Sequence, residues 1–336
     1  MDAKITRQRL SRMLSYDWIK IIIFCVIGIL VWSLIFAMTA TKITTSQQFV
    51  VYNYVGNRPF THTKFYDSYS NAFENGVFSY EVLKTSVFDI AGTPSEERSL
   101  MEGHLGIDEG DVIFVADSWH LDSAYEDEET GETRYQYTYL QQFLYSWRFY
   151  VYDLNPESEH SYFRQMETYL DGYYTNGWED AESLDKSAVE RDFRARAKKD
   201  KRFKKSSQIR QGIQDDITRI QNYRNALEEF YGYVKAGVVT FTRTSMLDPE
   251  DETQTIFDGV FTINICPDKA VSGGLSEIVS YPIKTLDENG NEQTIQTAEN
   301  MNVAFFYMDS TAKGFEFESV PYITYIIRNA IAATEH

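Results

Sequence analysis

Apolar residues are distributed along this chain in three distinct patterns. Ile21 to Met38 is an uninterrupted apolar run with no charge and one hydroxyl, Ser33. At about 1.5 Å per helical residue, this run with Trp18 and Ile19 nearly crosses a hydrocarbon core of roughly 30 Å. Further on, short apolar runs bounded by turn residues predict strands: Phe49 to Val55, Val77 to Phe88, Val112 to Val115, Val238 to Thr244, Val260 to Cys266 and Val303 to Met308. A third pattern has helical period. Ile209, Ile213, Ile217, Ile220, Tyr223, Leu227 and Phe230 recur every three or four residues, and Ser206-Ser207 can cap that helix.

Smaller signals fill in the order. Thr93-Pro94 followed by Glu96-Glu97 opens a helix that carries Leu100, Met101 and Leu105. Residues 135–156 read as helix then strand, or as a buried pair of elements, and Asp287 to Asn291 as a hairpin turn. Pro321 to Ala333 predicts a closing helix whose apolar face is Ile323, Ile326, Ile327 and Ala330. The fold class is therefore α/β. A tail (1–17), a membrane helix (18–39), a polar tether (40–48) and an extracytoplasmic α/β domain (49–336) divide the chain. A helical hairpin over 185–235 is set into that domain as an insertion.

Charge gives the span a direction. The first sixteen residues carry Lys4, Arg7, Arg9 and Arg12 against Asp2 alone, Lys20 lies at the helix entrance, and only Lys42 is basic between the run and Arg58. Basic flanks stay inside, so the N-terminus is expected in the cytoplasm and the body outside, held by one uncleaved span at the cell membrane. A cleaved signal peptide has a shorter apolar region with a small-residue cleavage site, which Ala37 to Ala40 matches poorly. The net charge of −18 argues against nucleic acid as a partner. With Cys25 in the span, Cys266 has no soluble partner for a disulfide. That absence fits a bacterial surface protein, with Cys266 as a buried inert thiol.

Two charged segments leave alternatives open. Residues 117–134 hold seven carboxylates in a spacing unlike a calcium loop, so a solvated acidic hairpin is expected over a metal site. Arg191 to Lys205 holds nine basic residues, suited to an anionic lipid, a wall polymer or an acidic partner, or else to a solvated helix face. No hydrolase, nucleotide, zinc or redox motif is present, so no cofactor is implied and a non-catalytic role is expected.

The order VFSYEVLKTSVF, helix, then Gly110-Asp111-Val112-Ile113-Phe114-Val115 resembles the opening of extracellular solute-binding proteins that serve ATP-driven importers. The segment from Phe261 to Pro282 and the closing strand and helix are similar to that family's later elements. The resemblance implies a two-lobed body with ligand between the lobes. In open α/β sheets the lining residues follow strand ends. Asp117, Trp119 and His120 are then the candidate ligand contacts, Trp119 stacking on a ring and Asp117 accepting hydrogen bonds. The expected function is capture of a small ligand, a sugar or a peptide, or support of a transporter. The alternative is an envelope scaffold that docks a protein partner through its helical hairpin, and a glycan hydrolase working through a pair of carboxylates is the third reading.

Overall fold

The computed structural model describes residues 7–39, 43–54, 71–90, 94–120, 123–127, 130–198, 200–248, 251, 253–265, 282–286, 292–296, 301–309 and 313–334. Two compact units make up the chain, residues 1–43 and 44–336. The first is helix α1 (Arg7–Thr39), whose segment Trp18–Phe36 is long and apolar enough to cross a membrane, with side chains such as Phe24 and Trp32 facing outward.

The second unit is built on a six-stranded mixed sheet. Its strands are β1 (Gln48–Tyr54), β2 (Lys84–Asp89), β3 (Val112–Ala116), β6 (Thr240–Leu247), β7 (Thr255–Asn264) and β10 (Met301–Phe305). Their order is β2-β1-β3-β10-β7-β6. β1 runs parallel to both β2 and β3, in register Val51↔Val87 and Val51↔Val112, whereas β10 lies antiparallel to β3 through Val303↔Phe114. Two small hairpins stand apart: β4 (Ala124–Glu126) with β5 (Thr133–Tyr135), and β8 (Pro282–Leu286) with β9 (Glu292–Gln296).

The continuous apolar runs of β1, β3 and β10 follow from burial on both faces. Phe49, Val51, Phe114, Val303 and Phe305 point to one face, where they meet α4 (Tyr162–Asp171), α6 (Ser206–Lys235) and α7 (Ser319–Thr334). Val50, Tyr52, Ile113, Val115 and Ala304 point to the other, against α2 (Pro94–Leu105) and α3 (Tyr139–Trp147). Ile323, Ile326, Ile327 and Ala330 of α7 are fully buried, as their spacing predicts.

The second half of the chain adds β10, β7 and β6 to the sheet begun by β1–β3. The described residues thus form one compact body around one principal sheet, and two hinged lobes do not emerge from them. Residues 274 onward to Tyr281, Cys266 and the turn 287–291 lie outside the described residues.

Local differences from the sequence pattern have identifiable causes. Only Lys84–Asp89 of the run 77–88 pairs as a strand. The buried carboxylate of Glu318 accepts the Ser79 N–H at 3.1 Å, turning the chain so that Phe78 and Val82 drop into the core. Ser206 opens α6 but does not cap it; the Gln208 side-chain carbonyl takes the Lys205 N–H instead, at 2.9 Å. The basic segment begins in α5 (Lys186–Ala197), which packs on α6 at Gly212. A Cβ on Gly212 would overlap the ring of Phe193 and stand 2.7 Å from that of Phe203.

Asp111 explains the Gly-Asp-Val entrance to β3. Its carboxylate accepts the Val50 N–H at 2.7 Å and its carbonyl accepts Phe306 N–H at 2.9 Å, tying β1, β3 and the end of β10 together. Burial pushes the Asp111 carboxyl up to about 7; the Val50 N–H opposes that rise, and Glu318 and Glu109 add to it.

Candidate functional site

Asp117, Trp119 and His120 follow β3 where the sheet changes its winding. The connection from β1 to β2 packs Ala72, Phe78 and Val82 on the first face, and the return through α2 packs Met101 and Leu105 on the second. The two crossovers diverge between β1 and β3, so the carboxyl ends of those strands form the topological switch point of the parallel half.

The three residues there are knitted into the start of α3. Asp117 hydrogen-bonds the Thr138 side chain, and burial raises its carboxyl against that bond. Thr138 also caps α3, its hydroxyl accepting the Gln141 N–H at 3.1 Å. His120 is buried, its Nε2 at 3.2 Å from the Tyr54 hydroxyl and its ring centroid 4.3 Å from that of Tyr139. Trp119 is half exposed and stacks on Tyr135 at 5.9 Å. Asp117 and His120 therefore bind their own chain, and Trp119 alone turns a large face outward.

A larger concavity lies elsewhere on the body. A cleft of about 730 Å³ opens between α4, α5 and residues 313–317. Tyr169, Tyr173 and Phe317 form its aromatic side, with Tyr169 centred 5.2 Å from Tyr173 and 5.3 Å from Phe317. Asp192 and Glu316 bring carboxylates, and Arg196 and Lys313 bring cations. Asp192 accepts the Tyr173 hydroxyl at 3.2 Å. Burial raises the Glu316 carboxyl, although backbone N–H groups including that of Gly314 counter the rise.

The cleft is anchored from behind by a buried ion network. Asp216 on α6 accepts Arg219 Nε at 2.9 Å, Arg196 Nη2 at 2.6 Å and the Tyr80 hydroxyl at 3.2 Å. Arg219 is closed to solvent; it also donates to the Tyr169 hydroxyl at 2.8 Å and to the Gly314 carbonyl, and lies 4.4 Å over the Phe315 ring. Two cleft residues, Tyr169 and Arg196, are thus held by a charged pair that they cover. Such second-layer fixing is what holds a recognition site to one geometry.

Sequence reading did not single out this cleft, because its walls come from three distant segments: 159–173, 192–196 and 313–317. The one local signal is Asp216 and Arg219 lying on the same side of α6 as Ile217 and Ile220, where an apolar stripe should carry no charge. Among the described residues, no cluster of three or more His, Cys, Asp or Glu is placed to hold a metal ion.

Comparison with family models, curated proteins and solved structures finds no match to this chain.

Proposed function

We propose that the chain is a membrane-anchored protein, N-terminus inside, whose extracytoplasmic body captures a small zwitterionic ligand of the amino-acid or short-peptide class without transforming it. The cleft of about 730 Å³ carries this reading, since it falls within the roughly 300–1,000 Å³ usual for small-molecule sites. Its rim has both signs of charge. Lys313 and Arg196 suit a ligand carboxylate, Asp192 and Glu316 suit an ammonium, and Tyr169, Tyr173 and Phe317 suit the apolar part between them. A neutral sugar would leave Lys313 without a matching group, Arg196 being already paired with Asp216, so the peptide class is favoured over the sugar class. The capture role is the one implied by the likeness to importer-associated binding proteins, moved from a gap between lobes to the flank of a single sheet. The anchor rests on the apolar length of Trp18–Phe36 and its basic N-terminal flank.

The test is thermal unfolding of the full chain in detergent micelles against amino acids, short peptides and sugars. A ligand that binds only the folded state at a hundred times its Kd adds about 2.7 kcal/mol, an upward shift of several degrees. Stabilisation by zwitterions, reduced in Lys313→Glu, supports the reading. Stabilisation by sugars alone, or by no compound in the panel, refutes it.

A further inference from the structure

A second concavity lies on the far side of α5, and its chemistry is different. Ten of the chain's 32 Lys and Arg fall in residues 191–210, against only Asp192 and Asp200, in a protein of net charge −18. The turn from α5 to α6 folds this segment around a cavity of about 480 Å³. Its rim is Arg194, Lys198, Lys201 and Lys204, and its floor is Ala197, Phe203 and Ile209.

The floor is built rather than incidental. The Phe203 ring packs 4.9 Å from that of Phe193, and both rings stand over Gly212, where no side chain intervenes. Among the described residues, the only acid on the lining is Asp200, and it is already engaged. Arg202 meets it with Nε at 2.9 Å and Nη2 at 2.7 Å, and bridges on to Glu81 at 2.7 Å. Arg202 thereby holds the Asp200 carboxyl below its ordinary value despite partial burial. Among the described residues, no carboxylate lies within ion-pair distance of Lys198, Lys201 or Lys204. Arg194 is paired with Glu190 at 2.7 Å one turn back along α5, so the site presents three lysines with little to neutralise them, above an apolar base.

We propose that this cavity docks the phosphate headgroup of an anionic membrane lipid, with the lysines and Arg194 around the phosphate and Phe203 and Ile209 under the glycerol and first methylenes. The combination of charge and apolar floor favours an amphiphile over a fully polar anion, which would gain nothing from that floor. Proximity adds a second argument and rests on α1 being the membrane anchor. Residues 40–47 are all that join α1 to β1, and eight residues fully extended reach at most roughly 30 Å. A bilayer surface is then always within range of the body. Attraction between basic residues and anionic lipid contributes about a factor of five per Lys or Arg near the surface.

The experiment immobilises the full chain in nanodiscs of phosphatidylcholine and flows vesicles over it, so capture in trans does not depend on how α1 sits. Vesicles rich in phosphatidylglycerol should be retained and phosphatidylcholine vesicles should not. Retention should fall roughly 100-fold in the triple variant Lys198→Glu, Lys201→Glu, Lys204→Glu, as expected from three surface cations. It should also vanish in high salt. All three positions are exposed, and an unchanged circular dichroism spectrum confirms that the variant is folded. Phe203→Ser provides the apolar arm and should weaken retention of lipid without changing binding of soluble polyphosphate. Equal retention of neutral vesicles, retention unaffected by charge reversal, or binding of polyphosphate with no retention of anionic vesicles overturns the proposal.

Discussion

Arg219 Nε donates to Asp216 Oδ1 at 2.9 Å, and both side chains are shut away from solvent. This pair sits behind the cleft and fixes two of its residues, Tyr169 and Arg196. Removing one partner of a buried pair leaves the other as an uncompensated charge, which costs about 3–5 kcal/mol. Asp216→Ala should lower the stability by that amount, read as a fall in the denaturant midpoint at unchanged m-value. Replacing Arg219 and Asp216 together by Met and Leu should cost much less. A double variant as unstable as Asp216→Ala would refute the role of the unpaired charge.

Two glycines carry the close packing around this network. Gly314 has φ +89°, and a Cβ there would overlap the Tyr169 hydroxyl that Arg219 holds. Gly314→Ala therefore combines backbone strain with displacement of a cleft wall, and should cost about 2–3 kcal/mol. Gly212 is helical, so alanine should gain about 1 kcal/mol of propensity, yet it must push Phe193 and Phe203 aside at about 1–3 kcal/mol. Gly212→Ala should be net destabilising. A rise in melting temperature for either variant would show that the rings are free to move.

Stability should decline from mildly acidic toward neutral pH. The Asp111 carboxyl is raised from 3.8 to about 7 by burial. Between those values the folded chain keeps a proton that the unfolded chain has lost, so stability falls as pH rises through about 4 to 7. Glu316 and Glu318 are raised for the same reason, burial, and act in the same direction. Asp111→Asn should flatten the pH profile between about pH 4 and 7, measured by thermal unfolding across pH. A profile unchanged by the substitution would contradict the buried, protonated state of Asp111.

The switch-point residues should behave as structural parts. His120→Ala removes a ring packed on Tyr139 and hydrogen-bonded to Tyr54, and should cost about 2–3 kcal/mol. Trp119→Ala trims a half-exposed ring stacked on Tyr135, and should cost less than about 1 kcal/mol. Chemical denaturation of the two variants separates these outcomes. Equal costs would mean that Trp119 is packed more closely than its exposure indicates.

How much of this was legible in the sequence depends on how local the cause is. β1, β3, β10 and α7 could be read directly, because burial on both faces, or along one stripe, forces apolar runs of the right period. Helix α4 was not read, although Ser161 caps it and Tyr162, Phe163, Met166 and Leu170 share one face; its ten residues are dense in aromatics that also suit strands. The strand expected at 77–83 failed for a distant reason, since Glu318 captures the Ser79 N–H from the other end of the chain. The Gly-Asp-Val entrance to β3 was visible, but its role in clamping three strands was not. The cleft is the least legible feature. Tyr169, Asp192, Arg196, Lys313 and Phe317 meet only after the sheet and three helices have assembled, and no spacing rule links them.

The most direct test of the central claim is calorimetric titration of short zwitterionic peptides into the full chain. The account predicts saturable binding at one site. That binding should weaken at least about tenfold in Lys313→Glu and in Tyr173→Ala, the loss of one close charge or aromatic contact being worth about 1.4 kcal/mol or more. It should be unchanged in Asp117→Ala, which lies outside the cleft. Binding that survives both cleft substitutions but is lost in Asp117→Ala would place recognition at the switch point and contradict the account. Absence of binding across the peptides would contradict it equally.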